Sequence, residues 1–169
     1  MSLYEIAVHE AAHAVLAWAT GRPILGLAMV SDEEYARLRR RPRSLNSWGQ
    51  AYYPGPPAWA SKDRHSRPLA DREAMVGMAG DLAVRLYRGT PLRKEPTETD
   101  LDPMVHAAAL AAEAGEDVEA HMKELASKTV LVLNTYWDRL LGLADELLDK
   151  RKLTGPEIKA LLQSPRPSS

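Results

Sequence analysis

The sequence contains no cysteine. This excludes disulfides, thiolate metal sites and cysteine nucleophiles, so any bound metal must be held by histidine, aspartate and glutamate. The sequence also lacks an excess of charge of either sign, because its 22 basic side chains are balanced by 23 acidic ones. The charge therefore gives no indication of a nucleic-acid partner, and we expect none.

A long apolar run is also missing. The longest one, residues 11–19, is too short to span a bilayer and contains His13, and the N-terminus has no basic segment followed by a cleavage site. We therefore expect no membrane partner and a cytoplasmic location. The 169 residues, of which 45% are hydrophobic, fit one globular domain over residues 1–163 and a disordered tail over residues 164–169.

The spacing of apolar residues predicts a mainly α chain of the α+β class. The first predicted helix spans residues 3–19, with Ser2 as its N-cap and the Gly-Arg-Pro segment 21–23 as its stop. Two short extended segments, 24–30 and 49–53, are expected to pair in a small sheet of two or three strands that flanks this helix. Further helices are predicted over residues 69–87, about 97–114, 117–150 and in a short last segment from residue 154.

The first helix carries the motif His9-Glu10-Ala11-Ala12-His13, which has the pattern HExxH. Two histidines four residues apart lie on one face of a helix, so both imidazoles can reach a single tetrahedral cation. Glu10 projects beside them, where it can take a proton from a water that attacks a carbonyl and pass it to the leaving amine. Chance would place this motif in roughly 1% of such chains. The pattern therefore predicts zinc ligands at His9 and His13 and a catalytic base at Glu10.

Spacing alone does not fix the third ligand. The metzincin arrangement, which has a third histidine, is excluded because position 19 is an alanine. Glu33 or Glu34 follows the motif at a distance typical of gluzincins, although both lie in a charged stretch that is more simply solvated. Asp100 or Asp102 is the other option, although an aspartate at the start of a helix is usually an N-cap.

Several segments, in the same order along the chain, resemble the zinc peptidase domain of FtsH-type AAA proteases. Residues 7–14 (AVHEAAHA) are similar to the HEAGH helix of that family, and residues 23–30 and 48–53 to its two cleft strands. Residues 78–83 (MAGDLA) resemble its GGRAAE helix, and residues 97–101 (TETDL) its SNDL segment. The first and last of these motifs are specific, and the similarity extends through the C-terminal helices over nearly the whole chain.

The resemblance implies a helical FtsH-peptidase-like domain that hydrolyses peptide bonds with Zn²⁺ as its cofactor. The aspartate of the SNDL segment is the third zinc ligand of the family, so the match implies Asp100 as a metal ligand here rather than Glu33. We expect the substrate to lie extended against the edge strand of residues 24–30. The substrate-binding residues are then Ile24, Leu25, Gly26, Leu27, Ala28, Met29 and Val30.

The resemblance also bears on partners. No ATPase module and no transmembrane helix precede the peptidase segment in this sequence, so we expect flexible protein or peptide substrates or a separate ATPase partner. FtsH-type peptidase domains assemble as hexameric rings, which implies a homo-oligomer.

The chain departs from the family pattern at three positions. Ala12 replaces a glycine, which is harmless inside a helix. Val84 stands where the family usually has a glutamate, and Glu98 where it has a small residue. The groups that orient the metal ligands are therefore expected to differ here.

Two alternative functions fit the same motif. One is a catalytically weak or inactive zinc-binding module with a regulatory or interaction role, which the altered surroundings of the ligands would favour. The other is a peptidase like the repressor-cleaving ImmA-type proteins, which also use an HExxH helix. A third ligand outside residues 97–102 would favour the ImmA-like arrangement.

Three histidines lie outside the motif. His106 follows Asp100 on the same predicted helix and could approach the site, but a surface or core position is the simpler expectation. We expect His65 and His121 to be solvated.

Overall fold

The computed structural model describes residues 1–31, 33, 49–53, 67–91 and 101–164, except for the side chains of residues 101 and 102. Within these ranges the chain is mainly helical and has one small antiparallel sheet, which confirms the predicted fold class. The described helices are α1 (Leu3–Ala19), α2 (Arg67–Arg88), α3 (Leu101–Glu113), α4 (Val118–Thr135), α5 (Trp137–Lys150) and α6 (Gly155–Gln163). The strands are β1 (Gly26–Met29), β2 (Gly49–Tyr52) and β3 (Lys152–Thr154).

Helix α1 forms the centre of the core. Its start is fixed by a capping box, in which the Ser2 hydroxyl accepts from the backbone N–H of Glu5 and the Glu5 carboxylate accepts from the backbone N–H of Ser2. Every residue from 6 to 17 is buried, as expected of a helix without a polar face. Helices α2 and α5 and the sheet pack around it.

The sheet has the strand order β2-β1-β3, with both pairs antiparallel. In the β1–β2 register Leu27 lies opposite Ala51, and in the β1–β3 register it lies opposite Leu153. Leu27 and Leu153 are fully buried, so this face of the sheet covers the core. The predicted pairing of the two extended segments is confirmed, and β3 adds a third strand from near the C-terminus.

The prediction of one helix over residues 117–150 is wrong. The chain leaves helical geometry at Tyr136, whose ring packs edge-on against Trp18 of α1 with the ring centroids 5.1 Å apart. A straight helix of that length would extend about 50 Å, which exceeds the roughly 30–40 Å diameter of a domain of this size. The break at Tyr136 lets both α4 and α5 pack against the central helix.

No helix among the described residues is both long enough and apolar enough to cross a membrane.

Candidate metal centre

The two histidines of the motif lie one turn apart on α1, and their side chains converge. The Nε2 atoms of His9 and His13 are 3.0 Å apart, and their ring planes are nearly perpendicular. Only 8% of His9 and 7% of His13 is exposed. The i, i+4 spacing of the sequence therefore brings two ring nitrogens to one point inside the protein.

The second histidine is held by helix α2. The Nδ1 atom of His13 lies 2.7 Å from the backbone carbonyl oxygen of Val76. Because a carbonyl oxygen can only accept, Nδ1 of His13 carries the proton and donates it. The lone pair of this imidazole is therefore on Nε2, the atom that faces His9.

The first histidine is seated against the next turn of α2. The ring of His9 packs directly on Gly80, where a side chain would overlap the imidazole. The Oδ1 atom of Asp81 lies 3.9 Å from Nδ1 of His9. Burial, together with the neighbouring His13, lowers the pKa of His9 to about 3. His9 is therefore neutral near pH 7, as a metal-binding imidazole must be.

Glu10 is also buried, with 6% of the residue exposed, and it faces the start of strand β2. A Cβ atom at Gly49 would lie 2.6 Å from Oε1 and 2.8 Å from Cδ of Glu10. These distances are shorter than any ordinary contact, so the glycine makes the room that the carboxylate occupies. Helix α1, helix α2 and strand β2 thus enclose the His-Glu-His set.

The histidine pair fits a zinc ion. Zinc binds imidazole nitrogen at about 2.0–2.1 Å in tetrahedral geometry, which places two ligand nitrogens about 3.3 Å apart. The 3.0 Å between the two Nε2 atoms is close to this value. Both rings are buried and aim these nitrogens at each other, so His9 and His13 have the chemistry and the spacing of two zinc ligands.

The predicted third ligand, Asp100, lies outside the described residues, as does Glu34. Glu33 is described and is exposed, and Asp102 lies in the first turn of α3, where its side chain is not described. Considering only the described side chains, no group of three histidine, aspartate or glutamate residues could hold a metal ion. The identity of the third ligand stays a prediction.

The prediction that residues 24–30 form an edge strand is wrong. Strand β1 is the middle strand of the sheet, and its hydrogen-bonding groups are shared between β2 and β3. The pairing continues before the strand, because the N–H of Leu25 donates to the carbonyl of Tyr52 and the N–H of Gly155 donates to the carbonyl of Leu25. An extended peptide therefore has no backbone edge to pair with at Leu25, Gly26, Leu27, Ala28 or Met29. A substrate-binding role for Ile24 and Val30 stays a prediction.

Of the remaining histidines, His106 and His121 are described, and no contact of either with His9 or His13 is seen. His121 was expected to be solvated, but its Nε2 lies 2.9 Å from Oδ1 of Asp71, and only 12% of its side chain is exposed. It joins helix α4 to helix α2. His106 is half-buried on α3, and His65 lies outside the described residues.

Sequence reasoning missed the groups that contact His9, Glu10 and His13. These groups are the Val76 carbonyl, Gly49, Gly80 and Asp81. The available signal was a glycine inside a helix. Such a glycine destabilises the helix, so its presence often indicates that another group packs closely against it. Gly80 lies within the segment that resembles the GGRAAE helix, but its contact with His9 depends on tertiary packing.

No protein-family model matches this sequence, and no curated protein matches it. The resemblance to FtsH-type peptidases therefore stays a hypothesis based on the motifs.

Proposed function

We propose that this chain is an FtsH-like zinc-dependent metallopeptidase that hydrolyses peptide bonds in flexible or partner-delivered protein substrates. One observation carries the proposal. The Nε2 atoms of His9 and His13 converge to 3.0 Å in a buried site, with the carboxylate of the intervening Glu10 beside strand β2. Two converging imidazole nitrogens, a buried glutamate and an adjacent strand are the parts that metal-assisted peptide hydrolysis needs.

Each side chain has a distinct part in the proposed reaction. Zinc, when bound, supplies a Lewis acid that polarises the carbonyl and acidifies water near neutral pH. His9 and His13 would hold it through Nε2, and the hydrogen bond to Val76 keeps the His13 ring oriented. Glu10 accepts the proton of the attacking water and then delivers it to the leaving amine.

In this proposal strand β2, rather than β1, binds the substrate. It lies at one edge of the three described strands, and it begins at Gly49, directly beside Glu10. An extended peptide that pairs with β2 would pass the catalytic carboxylate. Tyr52, exposed at the other end of the strand, is available to contact substrate side chains.

The finer parts of the proposal rest on the sequence. Asp100 as the third ligand, a separate ATPase partner, assembly into a homo-oligomer and a cytoplasmic location all stay predictions.

Replacing Glu10 with glutamine tests the proposed reaction. We expect E10Q to retain zinc and to cleave an unfolded protein substrate at least about 100-fold more slowly than the wild type, the usual loss for general acid–base catalysis. The matched control is E113Q, which changes an exposed glutamate at the end of α3. Equal cleavage by E10Q and E113Q would refute the assignment.

A second candidate is a zinc-binding regulatory or interaction module without peptidase activity. It is favoured by Val84, which is buried and apolar where the family usually has a glutamate. Zinc-loaded wild type that leaves diverse unfolded chains intact after long incubation would favour this candidate over the peptidase.

A further inference from the structure

The environment of the two histidines is asymmetric. His13 Nδ1 donates to the Val76 carbonyl at 2.7 Å, whereas His9 Nδ1 faces the carboxylate of Asp81 at 3.9 Å, which is too long for a hydrogen bond. Both contacts come from helix α2, from residues 76 and 81. The side chains of His9 and Asp81 are 11% and 19% exposed, so solvent screens their interaction only partly.

The 3.0 Å between the two Nε2 atoms limits where protons can be. Two lone pairs that face each other at this distance repel, so one positive centre, either a proton or a metal ion, must lie between them. If it is a proton, it belongs to His9, because His13 already carries its own proton on Nδ1. Nδ1 of His9 is then an unprotonated acceptor that faces a carboxylate, an arrangement that keeps the two groups apart.

If the centre is a metal ion, the proton of His9 must be on Nδ1. The carboxylate of Asp81 is 3.9 Å from that nitrogen and is the kind of acceptor that a metal-binding histidine commonly has there. To accept a hydrogen bond from this N–H it must move about 1 Å closer. When the metal binds, His9 releases the proton of Nε2 to water and takes up one from water at Nδ1. The ring therefore carries one proton in both states.

Asp81 supplies a carboxylate near His9, although Val84 stands where the resembled family usually has a glutamate. Residues 81 and 84 are three apart on α2 and therefore lie on the same side of the helix. Val84 is buried among apolar residues, whereas the carboxylate one turn earlier is near the ligand. Gly80 allows helix α2 to approach His9 closely, because a Cβ atom at position 80 would overlap the imidazole ring.

We infer that Asp81 is the positioning residue of the metal centre: its carboxylate stabilises the Nδ1–H tautomer of His9 and so directs the Nε2 lone pair to the metal. This inference rests on the proposed zinc site. It assigns Asp81 no direct contact with zinc or substrate. With Asp81 as acceptor, His9 carries its proton on Nδ1, as His13 does when it donates to the Val76 carbonyl.

The test combines zinc affinity with the imidazole ¹⁵N chemical shifts. With a chelator present, we expect His9 to be protonated on Nε2 and His13 on Nδ1. After addition of zinc alone, both should be protonated on Nδ1. D81L should weaken zinc binding by about 10- to 100-fold, and D81N, whose amide oxygen can still accept, should recover most of that loss. D149L, at an exposed position of α5, is the control.

The outcomes separate this inference from the proposed function. A wild type that binds no zinc would overturn both. Zinc binding with equal affinity in the wild type, D81N and D81L, or a His9 that stays protonated on Nε2 with zinc present, would overturn the role of Asp81 alone. If D81L does not fold, D81A takes its place, because alanine also removes the acceptor but adds no bulk, and equal zinc affinities of D81A and D81N would overturn the role of Asp81.

Discussion

Gly80 lies in direct contact with the imidazole of His9, so that any side chain at position 80 would overlap the ring. The contact joins the middle of helix α2 to the face of helix α1 that carries His9 and His13. The orientation of His9, a proposed zinc ligand, therefore depends on the absence of a Cβ atom at position 80.

Replacement of Gly80 by alanine should therefore damage the site more than the fold. The added methyl must displace the His9 ring, and overpacking of this kind costs about 1–3 kcal/mol of unfolding free energy. We also expect zinc affinity to fall by at least about tenfold, as for loss of an orienting contact. Urea unfolding and zinc titration measure the two effects.

G142A is the matched control for that variant. Gly142 is an exposed helical glycine of α5 whose added Cβ would meet no atom within 4 Å. Alanine there should be neutral or stabilise by up to about 1 kcal/mol, with unchanged zinc affinity. Equal zinc affinities of G80A and G142A would contradict the steric role of Gly80.

The half-buried Arg22 forms an ion pair with the buried Glu73 next to Tyr53, the residue that follows strand β2. Nη1 of Arg22 lies 2.6 Å from Oε2 of Glu73, and the guanidinium stacks on the ring of Tyr53. Burial raises the pKa of Glu73, and the charge of Arg22 opposes that rise. R22M should therefore destabilise the protein by about 3 kcal/mol at pH 7, because among the described residues it leaves this buried carboxylate with the more distant Arg72 alone.

Acidification should reduce the penalty of R22M. Without Arg22 the pKa of Glu73 rises further, so the carboxylate becomes protonated and the cost of the unpaired charge disappears as the pH falls. The double variant R22M/E73Q should likewise lose less stability at pH 7 than R22M alone. Urea unfolding at pH 7 and pH 5 measures this, and a penalty that grows on acidification would contradict the account.

Glu5 and Arg88 give a pH dependence of a different kind. Two hydrogen bonds from the Arg88 guanidinium are the largest cause that lowers the pKa of Glu5, from 4.5 to about 2. A lowered carboxyl pKa stabilises the fold above pH 4.5, and this contribution is lost as the pH falls from about 4.5 to about 2. Arg88 is 44% exposed, so solvent screening limits the contribution to about 1 kcal/mol.

The variant R88M tests this pair. It should unfold about 1 kcal/mol more easily than the wild type at pH 7, and the difference should shrink by pH 3. K159M removes one positive charge from an exposed position of α6 and should show no such pH-dependent difference. A difference for R88M that is the same at pH 7 and pH 3 would contradict the lowered pKa of Glu5.

Asp100 is the predicted third zinc ligand. D100A should bind zinc at least about tenfold more weakly than the wild type, since a zinc site needs three protein ligands. Metal content after dialysis measures this, with D149A as the control. Undiminished zinc in D100A would refute this ligand and leave Asp102, Glu33 and Glu34 as the options that the sequence offers.

The parts of the fold that sequence predicted are those that local signals determine. Helix α1 begins at a Ser-x-x-Glu capping box and ends before Gly21, whose φ is +74°. The break at Tyr136 was missed because apolar spacing continues through it, and its partner Trp18 lies near the other end of the chain. The middle position of β1 was missed because it depends on the three residues of β3, which are too few for a pattern.

The same division applies to the site. The spacing of His9, Glu10 and His13 predicted which side chains share a face of the helix, because that geometry is local. The Val76 carbonyl and the contact with Gly80 come from α2, and only the packing of two helices brings them to the histidines. Local patterns thus predicted the proposed ligands, whereas the groups that contact them are a property of the tertiary fold.

The central claim is that His9 and His13 bind one zinc ion, and calorimetric titration of the chelator-treated protein with zinc tests it most directly. The account predicts saturable binding of about one zinc ion per chain by the wild type and by H121N, which changes a histidine outside the site. The same titration of H9A/H13A should show no such binding. Absence of saturable binding in the wild type, or equal binding by H9A/H13A, would contradict the account.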